Sequence, residues 1–319
     1  MTLSLVRLLG PVDLLRSPAV FIVLGVVLLT LVGVSAVEMR SPRNRTYRPP
    51  DDNIAVPTDA ASLARGKHLV EAVAVCTICH GENLGGKLAF EDAFLGRGYT
   101  ANLTSGSGGV GRTYSNADWV RSIRYGVRPD GRGIIFMPSD YFNRISDADL
   151  GAMIAYLRGL PPVDNARAAV EINFAARILI DLGVFGDVVR AARIDFRGPR
   201  TPPPADPGAY LVALGGCTFC HGAHLTGGQG PEPGAPGGPD LTSSGPLSKW
   251  SFVDFVATMR FGQTPEGHPI EPKYMPWLGY RNMTDNELRS VWRYLRSMSS
   301  ATAAEPTSAT AHAAGGNPR

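Results

Sequence analysis

The chain runs through one order of landmarks twice. Cys76-Thr77-Ile78-Cys79-His80 recurs as Cys217-Thr218-Phe219-Cys220-His221. Ahead of each motif, GKHLVEAVAV is matched by GAYLVALGG. Behind it come Asn102-Leu103-Thr104 and Asp240-Leu241-Thr242, then YSNADWVRSIRYGVRPDGR and WSFVDFVATMRFGQTPEGH. The last landmarks are MPSDYFNRISDADLGAMIAYLRGL and MPWLGYRNMTDNELRSVWRYLRSM. A repeat of about 100 residues is too long for a solenoid unit and reads as a duplicated domain. Any fold for this chain must therefore be built from two like bodies in tandem.

The four cysteines of these motifs are the only ones, so none is left for a disulfide framework. Cys-x-x-Cys-His is the spacing of c-type haem attachment. Two thiols add to the two haem vinyl groups as thioethers, and the adjacent histidine presents its imidazole to the iron. Cys76, Cys79 and His80 form one such set; Cys217, Cys220 and His221 form the other. Two other readings compete with this one. A zinc site would bring its Cys-x-x-Cys pairs within about 20 residues of each other, and Cys79 and Cys217 are much further apart than that. A thioredoxin-like pair needs a βαβ context, and strand-like alternation is nearly absent.

A low-spin electron-transfer haem takes a sixth ligand. Met137 follows His80 at nearly the same remove as Met275 follows His221. Each precedes proline, and each stands at the same spacing ahead of a matching leucine, Leu150 or Leu288. A thioether is neutral and soft and raises the reduction potential relative to a second histidine. Met153, Met259, Met283 and Met298 read as core filler. His68, His224, His268 and His312 recur at no matching place and read as exposed polar residues.

The elements are expected to be helical. Helices are read over Asp59 to Val75, Asn116 to Tyr125, Asp147 to Leu157 after the N-cap Ser146, Phe252 to Phe261, and Asp285 to Leu295 after Thr284. Gly (37) and Pro (26) imply long loops between them. Neither half holds many large apolar residues, a gap that a haem would fill.

The ends differ from this pattern. Ala19 to Val37 carries no charge, and about 20 apolar residues cross a hydrocarbon core. An uncleaved anchor within residues 1–40 is favoured over a signal cleaved after Val34-Ser35-Ala36. Residues 41–57 read as a tether, 58–163 as the first domain, 164–205 as a linker, 206–299 as the second domain and 300–319 as a disordered tail. Within the linker, Val170, Phe174, Ile178, Leu182, Phe185, Val189, Ala192 and Phe196 recur at steps of three and four. They read as one apolar stripe of an amphipathic helix, which Gly183 and Gly186 break into two helices. A formal charge of +3 gives no sign of a nucleic-acid surface.

With CTICH, CTFCH and the two Met-Pro segments in view, both halves resemble the class I cytochrome c family. Gly66 and Gly208, with Tyr156-Leu157 and Tyr294-Leu295, resemble the glycine and the aromatic-leucine pair where that family's first and last helices cross. Tyr210 fits the aromatic position beside the glycine, but His68 stands there in the first half. A nearer resemblance, at ANLTSGSGGVGRTYSNADWVRSIRYGVRPDGR and EINFAARILIDLGVFG, is to the cytochrome subunits of bacterial membrane-bound dehydrogenases. This chain has two haem motifs where those subunits commonly have three. The resemblance implies an all-α fold: two tandem class I cytochrome c domains behind an N-terminal transmembrane helix, with two covalent haem c groups. His80, Met137, His221 and Met275 would be the iron ligands. It also implies haem domains on the periplasmic side of a bacterial cell membrane, although the arginines after the apolar run favour the opposite orientation. The expected function is electron transfer between a donor and an acceptor protein, without catalysis by this chain. The alternative is a dihaem peroxidase. That enzyme needs an open iron, which a methionine at the same place in both halves argues against.

Overall fold

The computed structural model describes residues 18–166, 170–197, 202–230 and 235–299. The 300–319 tail, His312 and the part of the anchor before Pro18 lie outside them. Helix α1 (Pro18–Arg40) carries no charge before Glu38 and has no buried residue. It is long and apolar enough to cross a membrane.

The first half begins with α2 (Ala60–His68), capped by Asp59, which accepts from Ser62 N. The chain then continues as a π-helical turn over Leu69–Val73. The cause is legible by comparison. The stretch from Gly66 to Cys76 is one residue longer than the equivalent stretch from Gly208 to Cys217. A single inserted residue within a helix is absorbed by one π turn. Next come α3 (Cys76–His80), α4 (Asn116–Tyr125), α5 (Ser139–Phe142) and α6 (Asp147–Arg158). Between the halves lies α7 (Phe174–Asp181). The second half repeats the order as α8 (Pro207–Leu214), α9 (Thr218–His221), α10 (Phe252–Phe261), α11 (Trp277–Tyr280) and α12 (Asp285–Ser297).

Local signals explain the helix starts. Capping boxes Ser115/Asp118, Ser251/Asp254 and Thr284/Glu287 open α4, α10 and α12. Gly126 and Gly262 close α4 and α10 at positive φ. Where α2 crosses α6, a Cβ on Gly66 would overlap Ala152 O; where α8 crosses α12, a Cβ on Gly208 would overlap Ser290 O. Only glycine lets the backbones approach this closely. One apolar cluster runs through both halves, from Leu69, Trp119 and Leu150 to Leu211, Phe255 and Leu288.

Three expectations are corrected. The fold is mostly helical but not all-α. Strands β1 (Leu88–Asp92), β2 (Gly96–Tyr99) and β3 (Glu171–Ile172) form an antiparallel sheet in that order. These strands are too short to show alternation, and β3 joins from beyond α6, far along the chain from β2. Residues 41–57, read as a tether, lie against the folded body. Tyr47 N donates to Gly131 O, Asp52 pairs with the buried Arg124 at 2.6 Å, and Ile54 is buried. The linker breaks at Gly183 and Gly186 as read, but it is not a pair of striped helices. It is a strand, the short α7 and a 3-10 turn at Arg190–Arg193. Val189 is buried, but Phe174, Leu182 and Phe185 are exposed, and α7 instead buries Ala176 and Ile180.

Candidate haem sites

Each Cys-x-x-Cys-His segment folds as a single helical turn followed by a glycine at positive φ, Gly81 or Gly222. That glycine turns the chain back so that Gly86 N donates to His80 O, and Gly227 N to His221 O. The returning loop is pinned a second time. Leu103 N donates to Leu84 O and Leu241 N to Leu225 O, both at 2.8 Å. The consequence falls on the histidines. His80 Nδ1 lies 2.8 Å from Ala101 O, and His221 Nδ1 lies 2.8 Å from Pro239 O. A carbonyl only accepts, so Nδ1 carries the proton and Nε2 keeps its lone pair. Burial lowers the pKa of both imidazoles, which favours the neutral, ligating form.

These carbonyls belong to the residues just before Asn102-Leu103-Thr104 and Asp240-Leu241-Thr242. The sequence marks those triplets as repeat landmarks without indicating what they do. Asn102 Oδ1 and Asp240 Oδ1 each accept from the amide two positions on, Thr104 N at 2.9 Å and Thr242 N at 2.7 Å. The turn so formed holds the preceding carbonyl at the imidazole. The signal is present in the repeat, but a backbone acceptor leaves no residue type of its own to read.

Burial pushes the Cys76 and Cys217 thiols up to about 12 and raises Cys79 and Cys220 as well. All four are free of disulfides. Cys76, Cys217, Met137 and Met275 all pack, half-buried, at the edge of the main apolar cluster. Met153, Met259 and Met283 are buried within it as filler.

The loops that carry Met137 and Met275 are built alike. Ile134 N donates to Gly126 O and Ile270 N to Gly262 O, both at 2.7 Å. Each methionine is followed by a proline, of φ −81° or −79°, that starts α5 or α11. Arg124 and Arg260 brace the far side. Arg124 donates to Ile145 O at 3.0 Å and to Asp147 at 2.7 Å; Arg260 donates to Met283 O and to Asp285, both at 2.7 Å.

The residues present fit a c-type haem in both halves. Among the described residues no three His, Cys, Asp or Glu side chains gather as a metal cluster. Each oriented histidine is thus a lone nitrogen donor, which suits an iron whose equatorial ligands come from a porphyrin. The indole Nε1 of Trp119, buried in the first half, has no partner among the described residues.

His68 is not the exposed polar residue expected. Its Nε2 lies 2.7 Å from Glu287 Oε2 on α12, across the two halves. Tyr210, at the matching place on α8, donates to Asp149 Oδ2 on α6 at 2.7 Å. Asp149 and Glu287 are themselves equivalent, each at the third position of the last helix of its half. Arg65 bridges both acids, at 3.0 Å and 3.2 Å. The residue before each first cysteine also reaches across. Val75 packs on Gly279, and a Cβ on Gly216 would stand 3.6 Å from the Tyr141 ring. Tyr141 and Gly279 hold the same place after their respective Met-Pro methionines. The halves therefore meet through equivalent positions, with His68 and Tyr210 each on the other half's acid and Val75 and Tyr141 each over a glycine.

Comparison with known proteins agrees with this chemistry. Residues 61–157 match the family described as cytochrome C oxidase, cbb3-type, subunit III. The alcohol dehydrogenase (quinone) cytochrome c subunit of Gluconacetobacter polyoxogenes is 28% identical over 273 residues, covering 78% of this chain and 57% of that protein. The fructose dehydrogenase cytochrome subunit of Gluconobacter japonicus is 27% identical, covering 74% and 52%. The gluconate 2-dehydrogenase cytochrome c subunit of Pantoea cypripedii is 27% identical, covering 75% and 60%. The chain spans a little over half the length of these relatives.

Proposed function

We propose, for a chain that contains a cytochrome c domain and is similar to the cytochrome subunits of dehydrogenases, that it is a dihaem electron-transfer subunit. The observation that carries this reading is the matched pair of histidines, each with Nδ1 held by a backbone carbonyl and Nε2 left for a metal. In this reading residues 58–163 and 206–299 are two cytochrome c domains. Cys76/Cys79 and Cys217/Cys220 hold the two haems, His80 and His221 are the proximal ligands, and Met137 and Met275 are the distal ligands. The haem iron, once bound, supplies reversible one-electron chemistry. The protein's part is to fix the histidine tautomer, to close the sixth position with a neutral thioether and to exclude water. Helix α1 holds the haem domains at the periplasmic face of the membrane. The donor is the catalytic subunit of a dehydrogenase, and the acceptor is a membrane quinone or a further redox protein. The relatives named above are cytochrome subunits, and none is named as a peroxidase.

The test is a haem count. Pyridine haemochrome assay with mass spectrometry of the denatured chain should give two covalent haems, and Cys76→Ala/Cys79→Ala should leave one. Haem extractable into acid acetone, or one haem in the intact chain, sinks the dihaem reading. Extraction by detergent but not by carbonate or high salt tests α1 as an anchor.

A further inference from the structure

Helix α7 is fixed at one depth relative to α1. Arg177 Nη2 lies 3.6 Å from Glu38 Oε1, within the last turn of α1. Asp181, at the end of α7, has a fully buried carboxylate. It accepts from Ser41 Oγ at 2.5 Å and from Arg43 at 2.7 Å and 2.6 Å. Glu38 is the first charged residue after the apolar run. At about 1.5 Å of rise per residue, these ties hold α7 beside the end of that run, where a spanning helix leaves the hydrocarbon.

Held there, α7 and the turn after it expose apolar side chains. Phe174 is 58% exposed, Leu182 59%, Val184 63% and Phe185 41%. Gly183 and Gly186 sit at positive φ with nothing near where a Cβ would stand, so the turn projects into open space. Asn173 joins a further apolar tip to the group. Its side-chain amide donates to Ala93 O and Phe94 O, and Phe94 is 46% exposed. Arg40 and Arg45, both exposed, flank the exit of α1.

We infer that Phe94, Phe174, Leu182, Val184 and Phe185 form a second membrane contact, seated at the headgroup–acyl boundary of the bilayer that α1 spans. The occupant is a phospholipid surface. The patch is joined to the apolar helix by the buried Arg43–Asp181 pair and the partly exposed Arg177–Glu38 pair, and its aromatic rings and flanking arginines suit the interface. The chemistry is insertion of apolar tips beneath headgroups that the arginines can pair with. Its consequence is orientation. One spanning helix alone leaves the body free to tilt in the membrane with it, whereas two contacts fix which face of the body meets the membrane. This inference rests on the reading of α1 as an anchor.

The experiment uses the full-length holoprotein alone in phosphatidylcholine–phosphatidylglycerol vesicles that contain a phospholipid with a diazirine near the top of one acyl chain. After photolysis, adducts are mapped by peptide mass spectrometry. Adducts are expected on α1 and on residues 174–186, and none on Val253 or Phe261, which are 73% and 72% exposed in the second half. Leu182→Glu and Phe185→Glu should each cut labelling of 174–186 several-fold while leaving that of α1, and the haem spectrum, unchanged. Labelling of α1 without 174–186 overturns the inference and leaves the anchor standing; it would assign the patch to a protein partner. Loss of labelling from α1 as well overturns both.

Discussion

The two halves agree where a metal would be held and differ where they touch each other. Both turn a glycine after the histidine, pin the returning loop on a leucine and place a carbonyl 2.8 Å from Nδ1. Yet Val75 holds a left-handed φ of 44° where Gly216 holds 65°. His68 likewise stands where the second half has Tyr210, and each reaches the other half's acid. Chemistry at the site constrains both copies equally. The seam constrains only the pair, so a large residue in one copy can be offset by a small one in the other.

The sharpest test of the likeness is at the methionines. Met137→Ala and Met275→Ala should each lower one of two reduction potentials and leave the other. A drop on the order of 100 mV or more is expected, since axial ligands move haem potentials over about 0.8 V. Spectroelectrochemical titration reads it. Two unchanged potentials in the double variant would remove both methionines from the ligand set.

Next in size are the helix crossings. Gly66→Ala and Gly208→Ala both drive a Cβ into a carbonyl of the facing helix. Each should destabilise the protein by about 1–3 kcal/mol through overpacking, seen as a fall in thermal midpoint. A loss at one site only would show that the two crossings are not equivalent.

The cross-half acids should give a smaller, pH-dependent effect. Burial alone would raise the Glu287 carboxyl, but hydrogen bonds from His68 and Thr284 outweigh it and hold the group down to about 2. A depressed folded pKa stabilises above the ordinary value of 4.5 and loses that contribution as pH falls toward 2. Glu287→Gln should therefore cost on the order of 1–2 kcal/mol at pH 7, after allowance for solvent screening. The difference from the parent should vanish near pH 2. Denaturant melts across that range check it, and a pH-independent difference would point to packing instead.

The smallest effect is the most diagnostic of the seam. Gly216→Val forces a β-branched residue to positive φ, at about 1–2 kcal/mol. Val75→Gly relieves the same strain but empties the space over Gly279, so its net effect should stay within about 1 kcal/mol. Equal losses from the two substitutions would mean that strain at this position does not matter.

The amino-acid sequence settled what depends on neighbours along the chain. Ser115, Ser146, Ser251 and Thr284 cap the helices they precede, because a capping hydroxyl acts within the first turn. The Cys-x-x-Cys-His spacing names its chemistry because both thiols and the imidazole leave one helical turn. The extra residue before Cys76 becomes a π turn for an equally local reason. Tertiary structure alone decided what depends on distant groups. Which nitrogen His80 and His221 keep free rests on carbonyls 21 and 18 residues away. His68 gains its partner from a helix 219 residues on. The β3 strand forms only because β2 offers an edge, and that α7 buries Ala176 and Ile180 and leaves Phe174 exposed rests on what packs against it. A residue's own chemistry and its near spacing are written in the chain, whereas its partner across a fold exists only once the backbone has closed.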